Sequence, residues 1–212
     1  MQEIFEPSIS GGGVRAAFIP RIKGIDVSTD RAVALERLRK AHEKFLRERG
    51  FDPAFLATAE QVHGDRVSVV SGAVCHKGAD ALVTETHGLA LGIHVADCAA
   101  VYLVDRGGRA IGLAHSGRAG TEANIIGKTI AAMKEHFGVT PEDLIVELSP
   151  CIRPPLYETD FAALIVQQAR AEGVSEVRDC GICTGSDMES YYSYRMERGR
   201  TGRMLAVLAF NS

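Results

Sequence analysis

Apolar positions recur along the chain in two rhythms, one near every third or fourth residue and one in short continuous or alternating runs. Leu35, Leu38, Ala41, His42 and Phe45 fall at helical spacing behind two N-cap candidates, Thr29 and Asp30, which predicts a helix running to Gly50. A second stripe, Ile126, Ile130, Met133 and Phe137, predicts a helix over about 122–137 that stops at Gly138. A third helix is expected from Asp160 to Gly173. Between them, apolar runs at 13–20, 66–70, 81–84, 89–96, 99–105, 109–115, 144–148 and 204–210 predict strands. The runs 99–105 and 109–115 flank Arg106-Gly107-Gly108, a hairpin signal because glycine supplies the positive φ that tight hairpin turns need. Strands outnumber helices and several follow one another directly. The expected class is therefore α+β, with mixed sheets and flanking helices.

Composition narrows what such a chain can do. Its 212 residues are 46% hydrophobic, enough for one domain over 1–212 with a full core and no disulfide staples. Lys and Arg number 24 against 27 Asp and Glu, a balance without the basic excess of a nucleic-acid binder. The absence of Trp and an aromatic share of 6% also argue against a stacking platform for single strands. The five cysteines, Cys75, Cys98, Cys151, Cys180 and Cys183, are an odd number, which points to free or metal-bound thiols in a reducing compartment. MQEIFEPSIS has neither the basic nor the apolar region of a secretory leader, and no apolar run approaches a bilayer span. The expectation is a cytoplasmic protein with no membrane partner. The 22 glycines exceed average usage and suggest a loop-rich chain.

Three polar residues interrupt the apolar runs near strand ends: His63 in Gln61-Val62-His63-Gly64, Cys98 in Ala96-Asp97-Cys98, and His115 in Ala114-His115-Ser116-Gly117. If Asp105 pairs with Gly108, the hairpin register places Cys98 opposite His115, with side chains about 5 Å apart. A turn one residue longer leaves the two diagonal instead. Two histidines and a cysteine form a zinc-type donor set with a fourth position open to water, and zinc lowers the pKa of such water to about 7. Asp97 is a candidate proton shuttle if the strand ends or bulges there, since an adjacent strand residue otherwise faces the opposite side. A metal-free alternative uses Cys98 as nucleophile and His115 as base in a hydrolase.

These residues and their neighbours resemble one family. The matching stretches are QVHG (61–64), GADALVT (78–84), ADC (96–98), AHSG (114–117), SPCI (149–152), YETDF (157–161), CT (183–184), YYSYR (191–195) and GR (202–203). Together they are similar to the polyphenol oxidase or laccase-domain proteins, also called multi-copper polyphenol oxidoreductases, which include peptidoglycan editing factors and enzymes of purine nucleoside metabolism. The resemblance implies one domain with two mixed sheets packed between helical layers, and zinc held by His63, Cys98 and His115. It implies phosphorolysis of adenosine, inosine and methylthioadenosine, together with adenosine deamination, by a monomer acting on a small-molecule nucleoside and phosphate. Arg21 and Arg195 resemble the family's N-terminal and C-terminal arginines, whose planar forks suit phosphate. Gln61 is a candidate for hydrogen bonding to the substrate.

The chain departs from the family pattern around that donor set. Arg118-Ala119 follow AHSG where Trp-Arg is usual, Ala99-Ala100 follow Cys98 where Pro is usual, and the usual Gly, Ser and Asn pattern is missing around 22–28. The altered surroundings also allow a catalytically diverged zinc-binding protein, beside the Cys–His hydrolase, which would edit a peptidoglycan precursor. The laccase label itself needs a blue-copper site plus a separate histidine-rich cluster, and seven histidines spread over the chain do not supply both, which favours zinc over copper. Cys180-Gly181-Ile182-Cys183 is one CxxC, compatible with a redox pair or half a zinc site. His94 alternates with Ala96 and Cys98 and is a core-packing residue or a neighbour of the site.

Overall fold

The structure is a computed structural model that describes residues 4–9 and 13–211. Residues 1–3 and 10 of the N-terminal stretch considered above lie outside it. The elements in chain order are β1 Val14–Ile19, α1 Arg31–Glu48, β2 Leu56–Ala59, β3 Val67–Val69, β4 Cys75–His76, β5 Ala81–Thr84, β6 Ala90–Val95, β7 Ala99–Asp105 and β8 Ile111–Ser116. They continue with α2 Arg118–Glu122, α3 Ile125–Phe137, β9 Leu144–Leu148, α4 Phe161–Ala171, β10 Glu176–Asp179 and β11 Met204–Phe210. Among the described residues, no helix is long and apolar enough to cross a membrane.

The strands form two mixed sheets in the order β1-β11-β6-β2-β4 and β10-β9-β7-β8-β5-β3. Strand alternation divides the core into layers. On β7, Ala100, Tyr102 and Val104 enter the space between the sheets, while Ala99, Val101 and Leu103 face α3 and α4. On β11, Met204, Ala206 and Leu208 point between the sheets, while Leu205, Val207 and Ala209 form an outer cluster with Leu46 of α1. The result is the expected α+β domain, helix–sheet–sheet–helix. The Tyr102 hydroxyl crosses between the sheets and donates to the Ala17 carbonyl at 2.9 Å.

Two local outcomes differ from the sequence pattern. The hairpin takes the longer register: Asp105 N donates to Ala110 O at 3.2 Å, and Ala100 pairs with His115. The reason lies in Asp105, whose carboxylate accepts from Arg109 N at 2.8 Å and from Arg109 Nε at 2.9 Å, closing a four-residue turn around Gly108 at φ 72°. The helix expected over about 122–137 forms as α3, Ile125–Phe137, but a short separate helix, α2, precedes it, because Asn124 takes φ 58° and its side chain caps α3 by accepting from Gly127 N at 3.2 Å. Asn tolerates that backbone region and offers a local acceptor, so it ends one helix and starts the next. Strands β2, β4 and β10 are short segments whose pairing partners, not their own sequence, make them strands.

Leu103 is fully buried against the helices. Leu103→Ala is expected to lower unfolding stability by about 2–5 kcal/mol, measured by chemical denaturation.

Candidate metal centre

Strands β5 and β8 run antiparallel with Ala81 opposite Ala114, so the next pair outward is Asp80 and His115. His115 N donates to Asp80 O at 2.7 Å, continuing the ladder to the sheet end. The Asp80 side chain then does two things. Its Oδ1 accepts from His115 Nδ1 at 2.8 Å, and the same carboxylate accepts from Val62 N at 3.1 Å, His63 N at 3.0 Å and Gly64 N at 2.8 Å. Gln61 and His63 both take left-handed backbone angles, φ 63° and 61°, that non-glycine residues seldom adopt. The carboxylate anchors that turn and brings the His63 ring to 4.9 Å from the His115 ring. With His115 Nδ1 committed to Asp80, Nε2 is the nitrogen left to meet a thiol or a metal.

Cys98 arrives from the opposite direction, in the link between β6 and β7. It precedes Ala99, which pairs with Ser116, so it lies diagonal to His115 rather than opposite. The side chain lies over Gly117, where an added Cβ would come within 2.3 Å of Sγ. Donor atoms of His63, Cys98 and His115 all fall within 4.8 Å of one another, and among the described residues this is the one such His/Cys/Asp/Glu cluster. Two imidazoles and a thiol this close, one imidazole oriented by a carboxylate, fit a zinc-type ion with room for a further ligand. His63 is exposed and His115 buried, so the cluster opens to solvent on one side.

Charge is arranged accordingly. Burial pushes the Cys98 thiol up, but the His115 imidazolium and hydrogen bonds from His115 and His63 outweigh it and bring the thiol down to about 6. Burial likewise opposes charge on His115, yet the Cys98 thiolate and Asp80 raise it to about 9. Burial raises Asp80, and its four donors outweigh that and hold it below the usual carboxylate range. Without metal, the centre is thus a thiolate–imidazolium pair. The other cysteines lack such partners. Burial pushes Cys180 up to about 11 and Cys151 further still, which makes both poor thiolates.

A cavity of about 910 Å³ opens over the cluster. Part of its lining is aromatic, from Tyr157, Phe161 and Tyr194, and part is cationic, from Arg31, Arg118, Arg195, Arg198 and Arg203. Asp97 lines it too, with Oδ1 accepting from Thr184 Oγ1 at 2.8 Å and Oδ2 from Arg195 N at 2.7 Å. The strand does end before Asp97, so Asp97 and Cys98 are free of sheet alternation. Gln61 lines the cavity, but its amide is engaged: Nε2 donates to His94 O at 2.6 Å and Oε1 accepts from His94 N at 3.0 Å. Arg195 lies over the Tyr157 ring at 4.9 Å and is paired with Glu158. Arg21 is not brought to the cavity. It pairs with Glu197 at 2.8 Å and stacks on Tyr192 at 4.3 Å. His94 also lines the cavity, on its α1 side, 5.7 Å from His42. Sequence reading overlooked Asp80, Arg31 and Arg203. The signal for Asp80 was an acid directly before an apolar strand run.

The family described as multi-copper polyphenol oxidoreductase laccase matches residues 12–160 and 157–211. A purine nucleoside phosphorylase of Deinococcus radiodurans is 33% identical, over 93% of this chain and 85% of its own length. One from Pseudomonas aeruginosa is 31% identical, over 94% and 89%. The crystal structure of YlmD from Geobacillus stearothermophilus superposes with a TM-score of 0.85 at 24% identity, covering 94% of this chain and 93% of that one, which shows a shared fold.

Two measurements check this geometry. In metal-free protein, thiolate absorbance of Cys98 should rise with a midpoint at about 6, and His115→Ala should move it upward because burial remains while the imidazolium is lost. An unmoved midpoint would refute the pairing. Asp80→Ala frees both the 62–64 turn and the His115 ring, so zinc affinity measured against a chelator should fall by about 10–100-fold.

Proposed function

Because the chain belongs to the multi-copper polyphenol oxidoreductase laccase family, we propose that it is a zinc-dependent purine nucleoside enzyme. The reaction assigned to it is phosphorolysis of adenosine, inosine or methylthioadenosine, with deamination of adenosine at the same centre. The observation carrying this reading is the convergence of His63, Cys98 and His115 within 4.8 Å on a cavity with aromatic and cationic walls. Relatives over more than nine-tenths of the chain carry the name purine nucleoside phosphorylase.

His63 Nδ1 or Nε2, Cys98 Sγ and His115 Nε2 would hold the ion. When bound, zinc supplies Lewis acidity and lowers the pKa of water. The aromatic side chains Tyr157, Phe161 and Tyr194 suit the flat purine, through stacking and apolar burial. In phosphorolysis a phosphate oxygen bonds to ribose C1′ as the C1′–N bond breaks, and the departing base must take up a proton. We assign that proton to Asp97, supported by its position on the cavity wall and by oxygens that each accept one protein hydrogen bond and keep a lone pair. The Thr184 and Arg195 contacts fix its position. Gln61 acts by tying the His63 turn to β6, and Arg195 covers Tyr157 as the substrate-side cation.

A second reading has its own support. The Cys98 thiol brought to about 6 beside His115 is the arrangement of a Cys–His nucleophile, suited to amide hydrolysis in a cell-wall precursor.

Incubation of the zinc-loaded protein with adenosine, inosine or methylthioadenosine and phosphate, followed by chromatography, should release free base and ribose 1-phosphate, and inosine from adenosine. One equivalent of zinc, lost together with turnover in Cys98→Ser, supports the first reading. Folded metal-free protein that is alkylated at Cys98 and turns over no nucleoside would sink it.

A further inference from the structure

The cavity's arginines are not equivalent. Arg118 is bound by Glu122 at 3.0 Å and approached by Glu158 at 3.8 Å, and Arg195 pairs with Glu158. Arg31 and Arg203 are half-buried, and among the described residues neither forms an ion pair. Their guanidinium groups donate only to neutral acceptors. Arg31 reaches Glu60 O at 2.9 Å and Gln61 Oε1 at 3.2 Å, and Arg203 reaches Gly202 O at 2.7 Å and Thr201 O at 3.4 Å.

Nearby carboxylates are already engaged. Asp80 holds the 62–64 turn and His115, and Glu60 accepts from Gly78 N at 2.7 Å and faces Lys77 at 3.4 Å. Asp97 is held by Thr184 and Arg195 N. The histidines packed alongside add no compensating charge, because burial lowers His42 to about 4 and His94 well below its ordinary value. Burial disfavours the charge on both guanidinium groups, and Asp80 and Glu60 near Arg31, and Cys98 and Asp97 near Arg203, offset it only in part and without an ion pair. Two such partly desolvated cations cost free energy that an incoming anion recovers.

Their places in the chain set them beside the metal centre. Arg31 braces Gln61, two residues before His63, and the pairing of Met204 with Val95 puts Arg203 next to Ala96, two residues before Cys98. We propose that Arg31 and Arg203 form a phosphoryl-group subsite of the cavity. A phosphoryl group carries close to two negative charges and several acceptor oxygens, which matches two planar forks, whereas a carboxylate balances only one. Its role as cosubstrate rests on the phosphorolysis reading, and the same chemistry is presented by inorganic phosphate and by the 5′-phosphate of a nucleotide. Arg21 and Arg195 are already neutralised by Glu197 and Glu158 and leave this part to the other pair.

Isothermal titration of the zinc-loaded full chain with inorganic phosphate, inosine and inosine 5′-monophosphate tests the subsite. Arg31→Gln and Arg203→Gln are each expected to weaken phosphoryl binding by about 10–100-fold while inosine binding holds. Circular dichroism verifies folding, and if Arg203→Gln fails to fold, Arg31→Gln carries the test. Loss of inorganic phosphate binding identifies free phosphate as the ligand. Loss only of the nucleotide's advantage over the nucleoside identifies the ester, and either result supports the subsite. Wild-type protein that binds neither phosphate form, or a folded Arg31→Gln that binds both as wild type does, would overturn it. The binding readout needs no turnover. Phosphate held through Arg31 with no nucleoside cleaved would therefore defeat the phosphorolysis reading alone, and turnover with an unchanged phosphate KM in Arg31→Gln would defeat the subsite alone.

Discussion

The Asp80 carboxylate is fully buried and accepts three backbone N–H groups from residues 62–64 together with Nδ1 of His115. A buried carboxylate needs such a set of donors to remain charged, and here the donors are the parts of the site that must be placed. The turn carrying His63 has two non-glycine residues in left-handed conformation and no regular structure of its own. The bonds to Asp80 define it. Because Asp80 stands opposite His115 in the β5–β8 ladder, one side chain converts sheet register into the relative position of two histidines. It also fixes which nitrogen of His115 faces Cys98, and so the charge state of the thiol.

The position of the centre follows from the layering. His115 continues the face of β8 that bears Ile111 and Leu113 and so points between the sheets, and Cys98 reaches it from the link between β6 and β7. At the sheet ends that apolar layer gives way to the cavity, where polar groups can be buried on one side and meet ligand on the other. Close approach is possible because Gly117 leaves space for the Cys98 sulfur.

Around the centre, charge is divided by partner. Carboxylates near the thiolate–imidazolium pair are consumed by structural hydrogen bonds, and the outer arginines Arg118 and Arg195 are neutralised by Glu122 and Glu158. The inner cations Arg31 and Arg203 form no ion pair among the described residues and donate to backbone and amide oxygens, which leaves them able to take an anion. This division explains how a chain with a slight acidic excess, 27 Asp and Glu against 24 Lys and Arg, presents a positive cleft.

Periodicity alone located α1, α3, α4, the long strands and the 99–116 hairpin, since these elements bury continuous apolar faces that any packing must satisfy. The spacing of Cys98 and His115 across that hairpin was also legible, and motif resemblance added His63. The break at Asn124, the short strands β2, β4 and β10 and the choice of the longer hairpin register were not legible, because each depends on a partner distant in sequence or on a side chain capping its own backbone. The same limit explains the site. Residue types at strand ends named the donors, and those types are local. Whether Arg21 or Arg31 faces the cavity depends on which acid reaches it first, Glu197 for one and none of the described carboxylates for the other. That choice is made by contacts between residues far apart in the chain, so only the tertiary structure decides it.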